Sequence, residues 1–299
     1  MRILTLPIDG SLAGRSVKGL LTRELRLSEG LVSRLKRHPD GICLNGKKAY
    51  TNAHVAEGDL LTVRLYDPVG MARPAPMQMD LSILYEDADL LLLNKPAGIA
   101  VHADSRRPDE VTLENALAAY LPEDVAAHPV SRLDRGTTGI MTWAKSGYIH
   151  ELLRRQQHTP AFYREYRGVI AGAVQPSAGV IDRPIGMAEG SRLKRAVLPD
   201  GAPSLTRYET LFTNAAYSLL KLVPETGRTH QLRVHLASIG HPLVGDWLYG
   251  TKAPEVIDRP ALHSYSLYLV HPITGQPLSL TAPIPADMAK LLPGLPMDN

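Results

Sequence analysis

The spacing of apolar residues predicts two short helices near the start of the chain. The apolar positions of the first helix lie one to four residues apart, at Val17, Leu20, Leu21 and Leu25. Ser28 can cap a second helix, because a serine hydroxyl there accepts a hydrogen bond from a free backbone amide of the first turn. The apolar positions of this second helix are Leu31, Val32 and Leu35.

A hairpin pattern follows the two helices. Residues 41–50 (GICLNGKKAY) are typical of β structure, and Asn45 with Gly46 is the dipeptide that favours a tight two-residue turn. Residues 60–65 (LLTVRL) predict one more strand. Residues 15–66 therefore form a small unit of their own, and the first 66 residues are predicted to be one domain.

A linker is predicted directly after this unit. Residues 67–79 (DPVGMARPAPMQM) contain three prolines and one glycine among mostly small residues. Proline and glycine in such density interrupt regular structure. We therefore place the domain boundary there and assign residues 80–299 to a second domain.

The second domain has more predicted strands than helices. Short apolar runs indicate strands at 90–94, 140–145, 165–171, 205–212 and 217–223. Helical patterns cover 112–121, 146–157 and 229–239, and the last stops at Gly240, a suitable residue beyond a helix end. Because helices and strands do not alternate regularly, the pattern predicts a mixed sheet of the α+β class.

Composition excludes several classes of protein. The chain of 299 residues is 44% hydrophobic, enough to bury a core, and its single cysteine, Cys43, excludes an internal disulfide framework or a multi-cysteine zinc site. The start of the chain has no apolar stretch long enough for a signal peptide. The most apolar window, 81–101, is interrupted by four charged residues and cannot span a bilayer. We therefore expect a soluble cytoplasmic protein without a membrane partner.

The basic residues are concentrated in the first quarter of the chain. Residues 1–79 contain twelve Lys and Arg against seven Asp and Glu, whereas the remaining residues contain 21 against 23. Such asymmetry is typical of an appended nucleic-acid-binding module, although a solvated basic surface would give the same count. Three of these cations crowd the end of the second predicted helix, where they could bind phosphates: Arg34, Lys36 and Arg37.

The segment 130–139 (VSRLDRGTTG) is the first candidate for chemistry. Arg132 and Arg135 flank Asp134, and a turn rich in glycine and threonine leads into the next strand. Nearby positive charge keeps a carboxylate ionised, which a nucleophile requires. The alternative is a structural loop in which Asp134 only holds one of the two arginines.

A tyrosine on a predicted strand is the second candidate. Tyr166 lies in 164–172 (REYRGVIAG) on the same side of the strand as Gly168 and Ile170. A buried tyrosine can stack on a flat ring and offer its hydroxyl to a proton transfer. Most tyrosines on strands are simple core residues, which is the alternative here.

The third candidate segment, 225–250, combines a helix with several glycines. His230 and Arg233 are three residues apart and would share one helical face. A buried face that carries arginine needs an anion, and Asp134 is the candidate; a surface helix is the alternative. His230 and His235 are five apart and off a common face, so we expect no metal. The sequence contains no phosphate-binding glycine loop, so we expect no nucleotide cofactor.

Together these segments resemble the RluA-type family of RNA pseudouridine synthases. Residues 132–139 (RLDRGTTG) resemble its R-L-D-x-x-T-[ST]-G motif, and 226–250 resemble its T-G-R-x-H-Q-[IL]-R-x-H-L…G-H-P-[IL]-x-G-D…Y-G signature. Residues 94–102 (NKPAGIAVH) resemble its entry segment, and 164–172 match its basic-x-Tyr strand. The resemblance covers nearly all of 80–299. Residues 15–66 are similar to the small RNA-binding module, named after a small-subunit ribosomal protein, that often precedes this domain.

The resemblance implies a catalytic domain with a mixed, largely antiparallel sheet, preceded by a small α/β RNA-binding domain. Asp134 would be the nucleophile, Tyr166 would stack beneath the uracil, and Arg233 would hold Asp134 ionised. Further RNA contacts are expected from four residues near the site: Arg132, Arg135, Arg228 and His230. Arg132 would help displace the target base or contact the RNA backbone. The chain departs from the family at Ser131, where histidine is frequent, and at Trp247, where proline is common.

The leading hypothesis is therefore a monomeric, cofactor-free pseudouridine synthase that acts on ribosomal or transfer RNA. The N-terminal module favours ribosomal RNA. One alternative is a non-catalytic RNA-binding or ribosome-assembly protein with the same fold, which loss of Asp134, Tyr166 or Arg233 would have supported. Another is a carboxylate-based nucleoside hydrolase, which would convert small free substrates.

Overall fold

The first quarter of the chain folds into a four-stranded antiparallel sheet with two helices. The structure is a computed structural model, and it describes residues 2–65, 74–103, 107, 109–157 and 159–296. In chain order the elements here are β1 (Arg2–Pro7), α1 (Val17–Arg23), α2 (Glu29–Leu35), β2 (Ile42–Leu44), β3 (Lys47–Lys48) and β4 (Leu60–Leu65). The strand order is β1-β4-β2-β3. The predicted helices, hairpin and last strand are confirmed, whereas no pattern predicted β1.

Serine caps explain where the two helices begin. The hydroxyl of Ser16 accepts a hydrogen bond from the amide of Gly19 at 3.2 Å, and that of Ser28 accepts one from Leu31 at 3.2 Å. Each bond satisfies an amide that has no partner within its helix. The apolar faces of both helices are buried, which leaves the basic end of α2 exposed to solvent.

Most of the predicted linker lies outside the described residues, which resume at residue 74. The part that is described, 74–79, contains neither helix nor strand. It runs along the first helix of the larger domain, where the amide of Met77 donates to the carbonyl of Asn115 and the side chain of Asn115 donates to the carbonyl of Ala75.

A ten-stranded mixed sheet forms the rest of the chain. Its first half contains β5 (Ile83–Glu86), β6 (Leu90–Lys95), α3 (Leu113–Tyr120), β7 (His128–Pro129), β8 (Thr138–Ala144), α4 (Gly147–Gln156), β9 (Phe162–Ala171) and β10 (Ala178–Asp182). Its second half contains β13 (Leu205–Thr213), β14 (Tyr217–Pro224), α5 (Gln231–Ser238), β15 (Leu262–Val270), β16 (Pro277–Thr281) and α6 (Ala286–Ala289). A separate hairpin, β11 (Ile185–Met187) and β12 (Arg195–Val197), stands between the halves.

The strand order explains the α+β character that the sequence predicted. The order is β10-β13-β14-β9-β15-β8-β6-β5, with β16 beside β15 and β7 beside β8. Only β8 and β15 run parallel among the described strands, and the other pairings are antiparallel. The five predicted strands and three predicted helices of this domain are confirmed. The central strand β15 was not predicted.

The polar residues of β15 obscured its position in the middle of the sheet. His263 is 1% exposed, and its ring nitrogens meet the hydroxyl of Thr138 at 2.8 Å and the carbonyl of Ala282 at 3.1 Å. Burial lowers the pKa of His263 to about 4, so the ring is neutral at physiological pH. Because both partners are distant in sequence, the local pattern of β15 does not reveal a buried strand.

Strand β6 separates two apolar cores. Successive side chains of a strand point to opposite faces, so Leu90 and Leu92 enter one core, while Leu91 and Leu93 enter the other. The first core is continuous with the buried residues of α1 and α2. Two polar contacts join the same parts of the molecule: the ion pair of Arg2 with Asp89, and the Tyr148 hydroxyl donating to the carbonyl of Leu25 at 2.9 Å.

Gly139 makes the parallel pairing of β8 with β15 possible. Its φ is +106°, a conformation that residues with a side chain rarely adopt, and a Cβ atom would lie 2.2 Å from the carbonyl oxygen of Ser264. This glycine therefore allows the backbones to approach closely where β8 begins. The loop that carries Asp134 ends at the same point.

Replacing Gly139 with alanine should destabilise the fold strongly. Backbone strain and the overlap with Ser264 should lower the free energy of unfolding by about 3 kcal/mol or more, measured by urea denaturation. Gly172→Ala is the matched control, because Gly172 also has a positive φ of +65° but no atom near the added Cβ. It should cost only about 1–2 kcal/mol. Equal losses in the two variants would contradict a specific role of the close contact.

Candidate active site

The loop that carries Asp134 is anchored from inside the protein by Lys95. The amide of Thr137 donates to the carbonyl of Asp134 at 3.0 Å, which closes a turn just before β8. The ammonium of Lys95, at the end of β6, donates to the carbonyls of Pro96, Arg135 and Thr137 at 2.8, 3.0 and 3.0 Å. Lys95 is fully buried, so these three bonds fix the loop against the sheet.

The buried charge of Lys95 is close to that of Asp134. Burial lowers the pKa of Lys95 to about 7, and the negative charge of Asp134 acts in the opposite direction. No role for Lys95 was predicted from the sequence. The signal for it was a lysine at the end of a strand that begins with four leucines, where a buried cation needs several acceptors.

Arg233 connects the helix α5 to this loop. Its Nη1 donates to Oδ2 of Asp134 at 3.1 Å, which confirms the predicted contact. The other contacts go to Asp246: Nε donates to Oδ2 at 2.7 Å and Nη2 to Oδ1 at 2.8 Å. The sequence suggested that Asp134 is the anion that neutralises Arg233, but Asp134 is not its main partner. The bidentate partner is Asp246, which is fully buried.

Two carboxylates keep the guanidinium charged despite its burial. Burial alone lowers the pKa of Arg233, but the hydrogen bonds and charge of Asp246, followed by those of Asp134, more than offset it and raise the pKa above its ordinary value. Asp246 neutralises the buried cation, so Asp134 is left with a single hydrogen bond from it. The side chain of Asp134 is 28% exposed and faces the cleft.

Asp246 also organises the turn that follows it. Its Oδ1 accepts hydrogen bonds from the amides of Leu248 and Tyr249 at 3.1 and 3.2 Å. The ring of Tyr249 lies beside the guanidinium of Arg233, 5.1 Å from ring centroid to Cζ. The signal for Asp246 in the sequence was the Gly-Asp pair within 240–250, taken together with the rule that a buried arginine requires a buried anion.

His230 lies near Asp134, but not on the helical face where the sequence predicted it. It precedes helix α5 in a left-handed conformation with φ of 59°, so it does not share a helical face with Arg233. Its Nε2 lies 3.8 Å from Oδ1 of Asp134, and its Nδ1 lies 2.8 Å from the hydroxyl of Tyr249. Burial lowers the pKa of His230, while Asp134 acts against that shift. Local helix geometry could not predict this left-handed residue.

The predicted catalytic residues line one cleft of about 940 Å³. Asp134, Tyr166 and Arg233 all face it, from the loop before β8, from β9 and from α5. Tyr166 is 6% exposed and belongs to the second apolar core, so it provides an aromatic wall held in place by packing. The volume is suitable for a nucleotide.

The predicted RNA-binding residues fall into two groups. Four border the cleft: Arg132, Arg135, Arg228 and His230. Arg132 and Arg228 are exposed, and Arg228 also donates to the carbonyl of Pro203 at 3.2 Å, whereas Arg135 is engaged in a bidentate ion pair with Glu110. The other three, Arg34, Lys36 and Arg37, are exposed at the end of α2 and do not line this cleft.

One group of side chains among the described residues has the spacing of metal ligands. It consists of Asp87, Asp89 and His271, and none of the three lines the cleft. Asp89 pairs with Arg2, and Asp87 accepts the hydroxyl of Tyr85 at 2.7 Å and lies 2.9 Å from Nε2 of His271. These carboxylates already have protein partners, so the group forms a charge network between β1 and the larger sheet.

The chain matches known proteins over most of its length. The family model described as RNA pseudouridylate synthase matches residues 89–238, which include Asp134, Tyr166 and Arg233. The uncharacterised RNA pseudouridine synthase YjbO of Bacillus subtilis is 36% identical over 91% of this chain and 96% of its own. Ribosomal large subunit pseudouridine synthase D of Yersinia pestis is 39% identical over 86% of this chain and 84% of its own. Among solved structures, human RNA pseudouridylate synthase domain containing 1 is 28% identical with a TM-score of 0.55, over 68% of this chain and 83% of that chain.

These matches, with the mixed sheet and its cleft, define an enzyme of RNA modification. The chain belongs to the RNA pseudouridylate synthase family, whose members are isomerases that act on RNA. No helix in the described part of the chain is both long and apolar enough to cross a membrane.

Replacing Asp246 with asparagine should damage stability and turnover together. Arg233 would keep its buried charge but lose the carboxylate that neutralises it, which should cost about 3–5 kcal/mol in the free energy of unfolding. The guanidinium would also move towards Asp134, and a displacement of about 1 Å should reduce turnover by roughly 100-fold. Urea denaturation and single-turnover kinetics measure the two effects.

Glu24→Gln provides the control for this change. Glu24 pairs with Arg15 at 2.8 Å, but both side chains are well exposed, so its loss should cost less than about 1 kcal/mol. An Asp246→Asn variant as stable and as active as the Glu24→Gln variant would show that Arg233 does not need its buried partner.

Proposed function

We propose that Asp134 is the nucleophile that converts uridine to pseudouridine in structured RNA. The observation that carries the proposal is the position of its carboxylate, which is partly exposed in the cleft that Tyr166 also lines and lies 3.1 Å from Nη1 of Arg233. The hydrogen bond from the guanidinium orients the carboxylate in the cleft, where it can act as a nucleophile.

The reaction requires no oxidation and no cofactor. The glycosidic carbon–nitrogen bond breaks, the uracil rotates, and a carbon of the ring bonds to the sugar. A carboxylate can attack the sugar, attack the ring, or stabilise a glycal formed by loss of a proton. We propose that Tyr166, which lines the cleft, stacks on the detached ring. Its hydroxyl is proposed to take part in removing the proton from the ring carbon that bonds to the sugar, while the ring nitrogen released from the sugar gains a proton.

The target base has to leave its stack before it reaches the cleft. Extrusion of a base costs a few kcal/mol, which contacts in the pocket must offset. We propose that Arg132, exposed at the edge of the cleft two residues before Asp134, occupies the vacated space or binds the neighbouring phosphate. Arg228 and His230 are proposed to contact the same RNA, with a smaller contribution from Arg135 because Glu110 already holds it.

Residues 1–66 are proposed to be an RNA-binding module joined by the linker 67–79 to the catalytic domain, 80–299. The exposed cations Arg34, Lys36 and Arg37 would bind phosphates and add affinity that does not depend on sequence. Ribosomal RNA is the favoured substrate, since a relative at 39% identity is named a ribosomal large subunit enzyme. Transfer RNA is the alternative. A monomer is proposed, because one chain supplies Asp134, Tyr166 and Arg233. The proposed location is the cytoplasm.

Asp134→Asn should remove product formation and retain RNA binding. The amide is nearly isosteric but cannot act as a nucleophile, so turnover should fall by at least roughly 1,000-fold. Product is measured on unmodified ribosomal and transfer RNA transcripts, and free uridine serves as the substrate that a nucleoside hydrolase would convert. Mapping of pseudouridine in cells with and without the gene then identifies the sites.

Asp124→Asn is the control for the loss of Asp134. Asp124 is an exposed carboxylate that does not line the cleft, and its replacement should leave turnover close to wild type. Equal product from Asp134→Asn and wild type would remove Asp134 from the mechanism. Turnover of free uridine by the wild type would favour the hydrolase instead.

The role of the basic residues of α2 is tested by replacing Arg34, Lys36 and Arg37 together with glutamine. Deletion of the module is a poorer test, because its core is continuous with that of the larger sheet. If the three cations bind phosphates, the slope of log K against log salt should become less steep by about 2–3. Turnover on saturating RNA should change little. A slope equal to that of the wild type would exclude this role.

A further inference from the structure

The cleft at Asp134 continues into a second cavity of about 850 Å³. Asp134, Arg135, His230 and Arg233 line both cavities, so the second begins where the first ends. On one side the cavity extends to Trp247, in the turn that follows α5. On another side it extends to Leu193, in the loop between β11 and β12. Neither residue has a part in the isomerisation described above.

Trp247 presents an indole ring to solvent in this second cavity. It is 55% exposed, whereas the other tryptophan of the chain, Trp143, is completely buried in the second core. Leu193, which lines the same cavity, is 41% exposed. Large apolar side chains left open beside a catalytic cleft are typical of a surface that a ligand covers.

The backbone holds Trp247 in a fixed position. Asp246 precedes it and accepts hydrogen bonds from the two amides that follow, those of Leu248 and Tyr249. Gly245 has φ of +73°, and a Cβ there would lie 2.3 Å from the carbonyl oxygen of Arg259, so this turn packs tightly against its neighbour. The same Asp246 side chain holds Arg233, so the backbone of this turn and the guanidinium have one anchor, which does not involve the indole itself.

Cations lie on the hairpin that borders this cavity. Arg192 and Lys194 flank Leu193 in sequence and are exposed, and the ammonium of Lys194 lies 5.8 Å from the ring centroid of Tyr249. An exposed aromatic ring with nearby cations matches single-stranded RNA, whose bases stack on aromatic side chains while its phosphates bind lysine and arginine.

We propose that Trp247, together with Leu193, binds the base of a nucleotide that flanks the target uridine. This inference rests on the catalytic function proposed for the Asp134 cleft. When the target uridine is extruded into that cleft, the adjoining backbone follows, and the next unpaired base enters the second cavity and stacks on the indole. The contact selects RNA in which a neighbour of the target uridine is free to unstack.

Tryptophan fluorescence tests the contact directly in the full-length Asp134→Asn variant, where no chemistry occurs. The probes are a dodecamer of uridylate and a dodecamer with the same ribose phosphates but no bases. The uridylate dodecamer should quench the solvent-exposed emission of Trp247, whereas the abasic one should not. The double variant Asp134→Asn with Trp247→Phe should lose this quenching, since Trp143 is buried. Equal quenching by both probes, or quenching that persists without Trp247, would refute stacking on this residue.

Kinetics then test the consequence for substrate binding. On an unmodified large-subunit ribosomal RNA transcript, Trp247→Ala should raise KM by roughly 5- to 100-fold and leave kcat nearly unchanged, because the stack is lost but the catalytic pair remains. Trp247→Phe keeps a ring and should retain most of the affinity. Leu211→Ala, which removes another exposed apolar side chain (42%) that lines neither cavity, is the matched control and should behave as wild type.

The two proposals fail in different ways. If Asp134→Asn abolishes product but Trp247→Ala has the KM of the wild type, the stacking contact is refuted and the catalytic role of Asp134 stands. If Asp134→Asn retains full activity while the uridylate dodecamer still quenches Trp247, the catalytic proposal is refuted and the binding surface stands. A fall in kcat for both Trp247→Ala and Trp247→Phe, without a change in KM, would also overturn the inference, because it indicates a structural role.

Discussion

The arrangement of this molecule depends on one buried cation, the guanidinium of Arg233. A charge of this kind is stable in the interior only when it is neutralised and hydrogen-bonded, and Asp246 does both from a fully buried position. The remaining nitrogen can therefore face the cleft and bind Asp134 at 3.1 Å. Without Asp246, Asp134 would be the one carboxylate left to neutralise Arg233 among its hydrogen-bond partners. The division of tasks between the two carboxylates follows from their burial.

Close backbone contacts keep the two halves of this pair together. Asp134 lies in a loop before β8, and Arg233 lies on α5, 99 residues later in the chain. Lys95 holds the loop from below through three carbonyls, and Gly139 allows β8 to approach β15 at the only parallel pairing among the described strands. These constraints fix the loop that carries Asp134 against the large sheet, on the side from which Arg233 reaches it.

The N-terminal module shares the support of that sheet. Alternate residues of β6 enter opposite cores, and the one that contains Leu90 and Leu92 continues into the helices of the module. The ion pair of Arg2 with Asp89 and the hydrogen bond from Tyr148 to Leu25 act at the same junction. The exposed basic end of α2 is thereby carried on a support that is continuous with the sheet under the catalytic cleft.

Local chemistry in the sequence determined the parts of this protein that depend on near neighbours. The serine cap of α2, the Asn45–Gly46 turn and most of the strands could be predicted from the residues. Long motifs predicted that Asp134, Tyr166 and Arg233 share one site, and the three residues do line one cleft. Tertiary structure alone decided that β15 is central, that His230 is left-handed and that Asp246 is the main partner of Arg233. The physical reason is the same in each case: the polar groups concerned are satisfied by partners 13 to 125 residues away, and no periodic pattern records such a contact.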